Sequence, residues 1–574
     1  MAKMVNLKIN NIPVTVPEGS TVLEAARSAH IEIPTLCYLK DVACVGSCRM
    51  CLVEATGARG LVAACVYPVA EGMEVQTNTE KCRKSRKTTL ELLLSKHKKK
   101  CVSCERNHNC ELQRLSNEYN ADEDRYEAED LNTPLDCSAP YVVRDNDKCI
   151  NCMRCVAACK KQHVSAIGPI GRGYNTHVGC AFEAELMDSV CVGCGQCIVA
   201  CPVGALRERT TVDEVWAAIS NPEKKVVFFT APSVRATLGE AFDMPVGTNV
   251  EGKMVAAIRR LGNVEVFNMD VTADLTIMEE ATELLNRIKT GGTMPMFTSC
   301  CPGWIKFVEQ KYPEMIPHLS TCKSPQEMFG ALLKTYYCEK NGIDPNNLYV
   351  VSVIPCTAKK YECHRPEMKG EVDAALTTRE LARMIKTAGI KFTELKDEEF
   401  DNPFATASGG GAIFGATGGV MEAALRVAAK MLDGEFELVD FKKVRGTQPI
   451  KEATYNVAGI TVKVAVASGL ENAAKIIGLV KSGKKHYDFV EIMACPGGCV
   501  NGGGQPTLPD SIRNSTDLKS LRAKALYVSD KKNTLRRSSE SPVIETIYGE
   551  YFGAPNSHKA HEILHTSYHA DKRI

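Results

Sequence analysis

Cysteine dominates the chemistry available to this chain: 27 of its 574 residues are cysteine, and most fall in tight C-x2-C spacings. Two thiolates at that spacing can reach one metal centre from a single loop. The stretch "MPMFTSCCPGW", Met294 to Trp304, is different, because Cys300 and Cys301 stand side by side. Neighbouring side chains point apart, so such a pair does not easily serve one metal. Each thiol needs its own task. The N-terminus "MAKMVNLKINNIPVTVPEG" has no basic segment leading into an apolar one and reads as a strand and a turn. In a long chain with no export signal, disulfides are the weaker explanation of the cysteines and metal sites the stronger.

Four groups of ligands lie in the first 210 residues. The clearest is "CINCMRCVAAC" followed by "CVGCGQCIVACP", each C-x2-C-x2-C-x3-C, the second trailed by Pro202. This is the two-cluster ferredoxin spacing, in which the fourth cysteine of each run ligates the other cluster. It predicts one 4Fe–4S centre on Cys149, Cys152, Cys155 and Cys201, and a second on Cys159, Cys191, Cys194 and Cys197. Upstream, Cys37, Cys48, Cys51 and Cys65 are spaced C-x10-C-x2-C-x13-C, with Gly46 before the close pair. That follows the logic of plant-type 2Fe–2S ferredoxins with a longer first gap; zinc is the alternative. Cys44 falls outside this pattern and reads as a spare. Between these groups, "HKKKCVSCERNHNC" sets His97, Cys101, Cys104 and Cys110 at H-x3-C-x2-C-x5-C. Three thiolates and an imidazole suit zinc or a 4Fe–4S cluster equally, and His108 is a second candidate imidazole.

The elements that must hold these groups follow from periodicity. Residues 1–80 alternate apolar and polar positions (Leu7, Ile9, Ile12, Val14, Val16) and predict a small β-rich domain. Residues 81–100, with nine Lys or Arg and one Glu, predict a helix with a solvated face. The run from 118 to 130, with seven acidic residues, reads as a solvated linker. Beyond Val212, apolar runs alternate with helical periods, as in "KVVFFTA", "LYVVSVI" and "YDFVEIMA". The fold class is therefore multidomain α/β: ferredoxin-like iron–sulfur domains (1–80, 81–138, 139–210) followed by an α/β domain with largely parallel sheets (211–574). In such sheets ligands bind beyond the strands' carboxyl ends. "MPMFTS" ends at Cys300 and Cys301, "LYVVSVIP" at Cys356, and "YDFVEIMA" at Cys495, with Cys499 in "ACPGGCVNGGGQP". These are three cysteine loops expected on one sheet edge. One cysteine of the adjacent pair with Cys356, Cys495 and Cys499 makes four thiolates, enough for a 4Fe–4S cluster, and leaves one thiol unbound.

At "TSCCPGW", "PCTAKKYE" and "EIMACPGGCVNGGGQP" the chain resembles the iron-only (FeFe) hydrogenases, and its N-terminal cysteine runs are similar to the four-accessory-cluster form of that family. The resemblance implies an H-cluster, a 4Fe–4S cube joined through a cysteine sulfur to a diiron unit bearing CO, cyanide and a bridging amine dithiolate. Carried over, Cys301, Cys356, Cys495 and Cys499 are its ligands, Cys499 bridging, and Cys300 is the proton donor. Lys359 bonds a cyanide, Pro232 and Ser233 of "APSVR" line the pocket, and Met493 packs nearby. The same resemblance makes His97 a 4Fe–4S ligand, giving one 2Fe–2S and three accessory 4Fe–4S clusters. It routes protons through Cys300, Glu280, Ser320 and Glu283 to Arg287. From the residues alone, Glu280, Glu283 and Arg287 form a helical stripe that reads first as a solvated face with a Glu283–Arg287 pair. Two departures stand out: Ile354 replaces a methionine common before "PCT", and Pro496 stands where relatives often have histidine.

The formal net charge is +1, so no bulk field favours nucleic acid or membrane, and no apolar run is long enough to predict a span. A reducing, anaerobic cytoplasm is the expected setting. "SGGGAIFGATGG" is glycine-rich but lacks the acidic residue of a dinucleotide site. Expected partners are therefore separate: a ferredoxin and/or flavin- and NAD-binding iron–sulfur subunits, besides the maturation proteins. The alternatives are a redox scaffold like the iron–sulfur subunit of respiratory NADH dehydrogenases, or a hydrogen sensor or assembly protein of the same superfamily; the intact second half and Cys300 argue against them.

Overall fold

The computed structural model describes residues 3–129, 133–432, 441–457 and 460–573; Asp130, the last residue of the acidic run, lies outside them. Strands Met4–Ile9 and Ile12–Pro17 pair antiparallel, and Glu74–Gln76 joins the first in parallel. The sheet has five strands, with Leu52–Ala55 and Val62–Ala63 completing it. Its alternation works as expected: Leu7, Ile9, Val14 and Val16 are buried in the local core, while Ile12, beside the hairpin turn, is largely exposed.

The basic segment forms helix Glu80–Lys96. It ends earlier than its charge pattern suggests, because His97 leaves the helix as its C-cap in extended conformation. Cys82, Arg86, Leu90 and Leu94, spaced by four, bury one stripe. Arg86 departs from the expected solvated face: it donates to the carbonyls of Leu52 and Thr77, both at 2.8 Å, and so pins the helix to the first sheet. Next come the short helix Glu111–Glu118 and the exposed acidic segment. The duplicated cysteine runs then fold as two helices, Arg154–Lys161 and Gln196–Ala200, packed against each other.

The second half is built on two four-stranded sheets rather than one edge. In the first, Val264–Asn268, Lys225–Thr230, Leu348–Ile354 and Ala374–Thr377 are all parallel. In the second, Met296–Phe297, Phe489–Met493 and Ile460–Ser468 run parallel and Ile450–Val457 closes the edge antiparallel. The cysteine loops therefore leave the carboxyl ends of strands in two different sheets and meet between them. The strands are near-continuous apolar runs because helices cover both faces. "SGGGAIFGATGG" proves to be packing: a Cβ on Gly409 would lie 2.2 Å from Asp530 Oδ1, and one on Gly411 2.4 Å from the Asp270 carbonyl oxygen. Among the described residues no helix is long and apolar enough to cross a membrane.

Candidate active site and its electron and proton terminals

The thiols of the first half gather in sets. Cys149, Cys152, Cys155 and Cys201 line one cavity. Cys159, Cys191, Cys194 and Cys197 line another. Each run has given its fourth cysteine to the other's cavity, as the spacing predicts. His97, Cys101, Cys104 and Cys110 line a third; exposed His108 is not among its lining residues. The His97 Nδ1 lies 2.9 Å from the Lys148 carbonyl oxygen, and burial pulls the imidazole below its usual value. Nδ1–H donating to that carbonyl leaves the Nε2 lone pair free for a metal. Cys37, Cys48, Cys51 and Cys65 converge in the first domain, the Cys48 amide 3.5 Å from the Cys37 sulfur. The Cys44 thiol donates to the Cys65 carbonyl at 2.9 Å.

Between the two sheets, Cys301, Cys356, Cys495 and Cys499 lie close enough to perturb one another, and burial raises every one of these thiols, Cys356 to about 12. Cys301 caps helix Pro302–Lys311 and its sulfur accepts the Ala494 amide at 3.4 Å. Adjacent Cys300 packs with the other hydrophobic cluster, alongside Cys499. The two neighbours thus face different surroundings. Lys359 Nζ donates to the Cys300 carbonyl at 3.2 Å and to Glu362 Oε2 at 2.8 Å. Burial opposes the Lys359 charge, but Glu362 outweighs it and holds the ammonium above its usual value.

The surroundings fit a large anionic group. Pro232 and Ser233 are buried at the end of strand Lys225–Thr230, and the Ser233 hydroxyl has no hydrogen-bond partner. Gly498, at φ 97°, brings the last loop so close that a Cβ would meet the Thr417 nitrogen at 2.7 Å. Met493 is buried just before Cys495. Gln505, which carried no recognisable role in sequence beyond its place in "GGGQP", ties the pocket together. Its amide donates to the Cys499 and Ser233 carbonyls, and its oxygen accepts from Thr237 and Thr378.

One face of this pocket opens on the loop bearing Cys194. Thr357 donates to the Gly193 carbonyl at 2.6 Å, and Gln196 to that of Asn501 at 3.0 Å. Glycine meets glycine here: a Cβ on Gly503 would lie 2.6 Å from the Gly195 Cα.

On the other side, helix Asp270–Thr290 brings a chain of polar groups. Glu280 is fully buried, and among the described residues nothing lies within hydrogen-bond limits of its oxygens, Ser320 being the nearby hydroxyl. Burial pushes it up to about 8, with Glu283 adding to the rise and Ser320 opposing it. Ser320 donates to Glu283 Oε2 at 2.9 Å, and Arg287 binds Glu283 Oε1 at 2.6 Å. The Glu283–Arg287 pair exists, but the face is not solvated. Glu280 and Glu283 are buried, and only Arg287 approaches the surface.

Thiol-lined cavities leading to a buried, four-thiol pocket with a proton-holding carboxyl behind it define an iron–sulfur redox enzyme. Residues 224–503 match the iron only hydrogenase large subunit, C-terminal domain, and residues 516–571 the iron hydrogenase small subunit. Residues 2–80, 86–125 and 148–205 match a 2Fe-2S iron-sulfur cluster binding domain, the NADH-ubiquinone oxidoreductase-G iron-sulfur binding region and a 4Fe-4S dicluster domain. The chain is 44% identical to the NADP-reducing hydrogenase subunit HndD of Solidesulfovibrio fructosivorans, covering 100% of both chains. It is 43% identical to iron hydrogenase 1 of Clostridium pasteurianum, over 98% of this chain and 100% of that one. A solved FeFe hydrogenase, HydA1 of Chlamydomonas reinhardtii, aligns with a TM-score of 0.57 at 40% identity, covering 63% of this chain and 100% of its own. The chain belongs to the iron-only (FeFe) hydrogenases, and is a hydrogenase with 2Fe–2S and 4Fe–4S accessory domains.

Proposed function

We propose that this hydrogenase interconverts protons and H2, that Cys301, Cys356, Cys495 and Cys499 would hold its H-cluster, and that Cys300 is the proton donor. The cluster, when bound, supplies the bond making between proton and electrons; the chain supplies the pocket, the proton and the wire. Lys359 and Ser233 offer donors to anionic ligands, Pro232 and Met493 exclude water, and Gln505 fixes the loops. Cys300 passes protons to and from Glu280, and Ser320, Glu283 and Arg287 carry them to the surface. A carboxyl with an affinity near neutrality suits such a relay, because it both holds and releases a proton. The observation that carries this reading is the divergence of the adjacent pair: Cys301 faces the other thiols from a helix cap while Cys300 packs beside Cys499 and Glu280.

Residues 1–80 would hold one 2Fe–2S cluster, 81–138 one 4Fe–4S cluster with His97 as a ligand, and 139–210 two more 4Fe–4S clusters, which would supply the electron route to the catalytic domain (211–574). The Solidesulfovibrio relative is named as an NADP-reducing hydrogenase subunit, which supports a nucleotide-linked assembly of several subunits. Flavin- and NAD-binding iron–sulfur subunits or a ferredoxin are the partners we propose, in the cytoplasm. Cluster types that follow ligand spacing give about 20 iron atoms per matured chain. The test is anaerobic preparation with and without the maturation proteins. Infrared bands of CO and cyanide are expected only in the matured form, and a flavoprotein should co-elute from the native cell. Active protein without those bands overturns the H-cluster assignment.

A further inference from the structure

Helix Pro302–Lys311, which begins at Cys301, carries a lysine that nothing above uses. Lys306 is 0% exposed. Its Nζ donates to the Tyr141 hydroxyl at 3.0 Å and lies 5.0 and 4.5 Å from the ring centroids of Tyr141 and Tyr361. Those rings stand edge to face and cage the ammonium. No carboxylate of a described residue lies within ion-pair distance of it. The two in its neighbourhood are taken, Glu309 by Arg365 at 2.6 Å and Asp571 by Arg573 at 2.9 Å. A lysine is almost never fully buried unless paired, since an uncompensated interior charge is costly. Burial draws this ammonium down to about 8, and the Cys191 sulfur is the strongest influence holding it up. The link to Cys191 is also geometric: the hydroxyl that accepts from Lys306 donates onward to the Cys191 carbonyl at 3.3 Å. The Tyr141 ring also closes over Gly193, where a Cβ would lie 3.1 Å from it.

We infer that Lys306 is the buried counter-charge of the 4Fe–4S cluster on Cys159, Cys191, Cys194 and Cys197, and that it sets that cluster's reduction potential. The inference rests on the ligand reading proposed above. Four thiolates leave such a cluster anionic in both redox states. Reduction adds one electron; no bond forms or breaks, and Lys306 keeps its proton. A fixed cation in a poorly screened interior stabilises the more negative state more, so it raises the potential. Position gives this consequence for turnover. Cys194 is the thiol whose loop interlocks with the loops of Cys356 and Cys499. Its cluster is the last stop before the active site, and its potential biases where an electron rests.

The test uses anaerobic, matured holoprotein carrying Lys306→Gln or Lys306→Arg, with iron content and midpoints from redox titrations followed by electron paramagnetic resonance. Lys306→Gln with full iron should move one 4Fe–4S midpoint negative by at least a tenfold loss of electron affinity, 59 mV for a one-electron couple. The other midpoints should stay, and Lys306→Arg should stay near wild type. Three results overturn the inference: a full-iron Lys306→Gln with no shift, a shift spread equally over all clusters, or an arginine variant that shifts or loses the cluster as the glutamine variant does. Cys191→Ser is the separate control. If it leaves every cluster signal unchanged, the ligand reading falls instead.

Discussion

At Cys300 and Cys301, one covalent step of separation divides two chemistries. If, as proposed, Cys300 is a proton donor and no metal ligand, Cys300→Ala should let the cluster assemble while hydrogen turnover falls by ~10²–10⁴ or more, the range for a lost acid–base group. Cys300→Asp should keep more activity, since a carboxyl still relays. Cys301→Ala should lose iron. Wild-type turnover in Cys300→Ala, measured against infrared evidence of a full cluster, would end this division of labour. Behind the pair, Glu280 predicts a pH signature. Its folded-state value, about 8, lies above the ordinary carboxyl value of 4.5, and burial is the main cause. Below about 4.5 both states hold the proton and burial costs nothing extra. As pH rises toward 8 the unfolded chain releases the proton first, so stability drains by up to about 1.4 kcal/mol per pH unit. Glu280→Gln should therefore stabilise the protein progressively more between pH 5 and 8 on this count (about those limits), as thermal melts will show; a constant difference across the range contradicts a raised Glu280. The grouping of cysteines around shared cavities was legible because thiols meant for one metal centre come at short spacings. The burial of Glu280 and Glu283 was not, because a Glu/Arg stripe looks the same whether water or a distant loop such as Ser320–Cys322 covers it.

Elements carry what single residues cannot announce. Strand ends located the cysteines, and alternation found the first sheet, but division into two sheets depends on long-range pairing that apolar runs do not encode. Close backbone approaches were equally hidden: "GGGQP" showed flexibility, not which loop it meets. Gly503 now has a definite partner. A Cβ there would lie 2.3 Å from the Cys194 carbonyl oxygen and 2.6 Å from the Gly195 Cα, and neither backbone can easily yield. Gly503→Ala should destabilise by about 1–3 kcal/mol, as overpacking does, and slow electron entry to the active site. Gly478, in helix Leu470–Lys481, has open space around its Cβ position. Gly478→Ala should instead stabilise, by about 0.4–1 kcal/mol. Melting temperatures that move alike in the two variants would show that the loop contact is not tight.

Across the whole molecule, the order of sites makes direction. The pocket between the sheets is deep, while Cys101 is exposed and Val102 is 95% exposed beside the His97 cavity. On the function proposed above, electrons from a partner would reach an outer cluster before the inner pair, and only then the active site. His97 tests this sequence because it is the one non-cysteine ligand in the proposed set and its Nδ1 is held by the Lys148 carbonyl. His97→Ala should remove or alter one 4Fe–4S signal and slow electron exchange with a protein partner. Hydrogen turnover driven by a small reductant that reaches inner clusters should fall less, and the infrared bands of the active site should stay in place. The fall in partner-driven rate should exceed the fall with the small reductant, because only the first depends on the surface entry point. Equal losses in both assays would place the His97 cluster off the electron route. Stoichiometric zinc at that site in anaerobically prepared protein would show that the imidazole and its three thiols hold no redox centre at all.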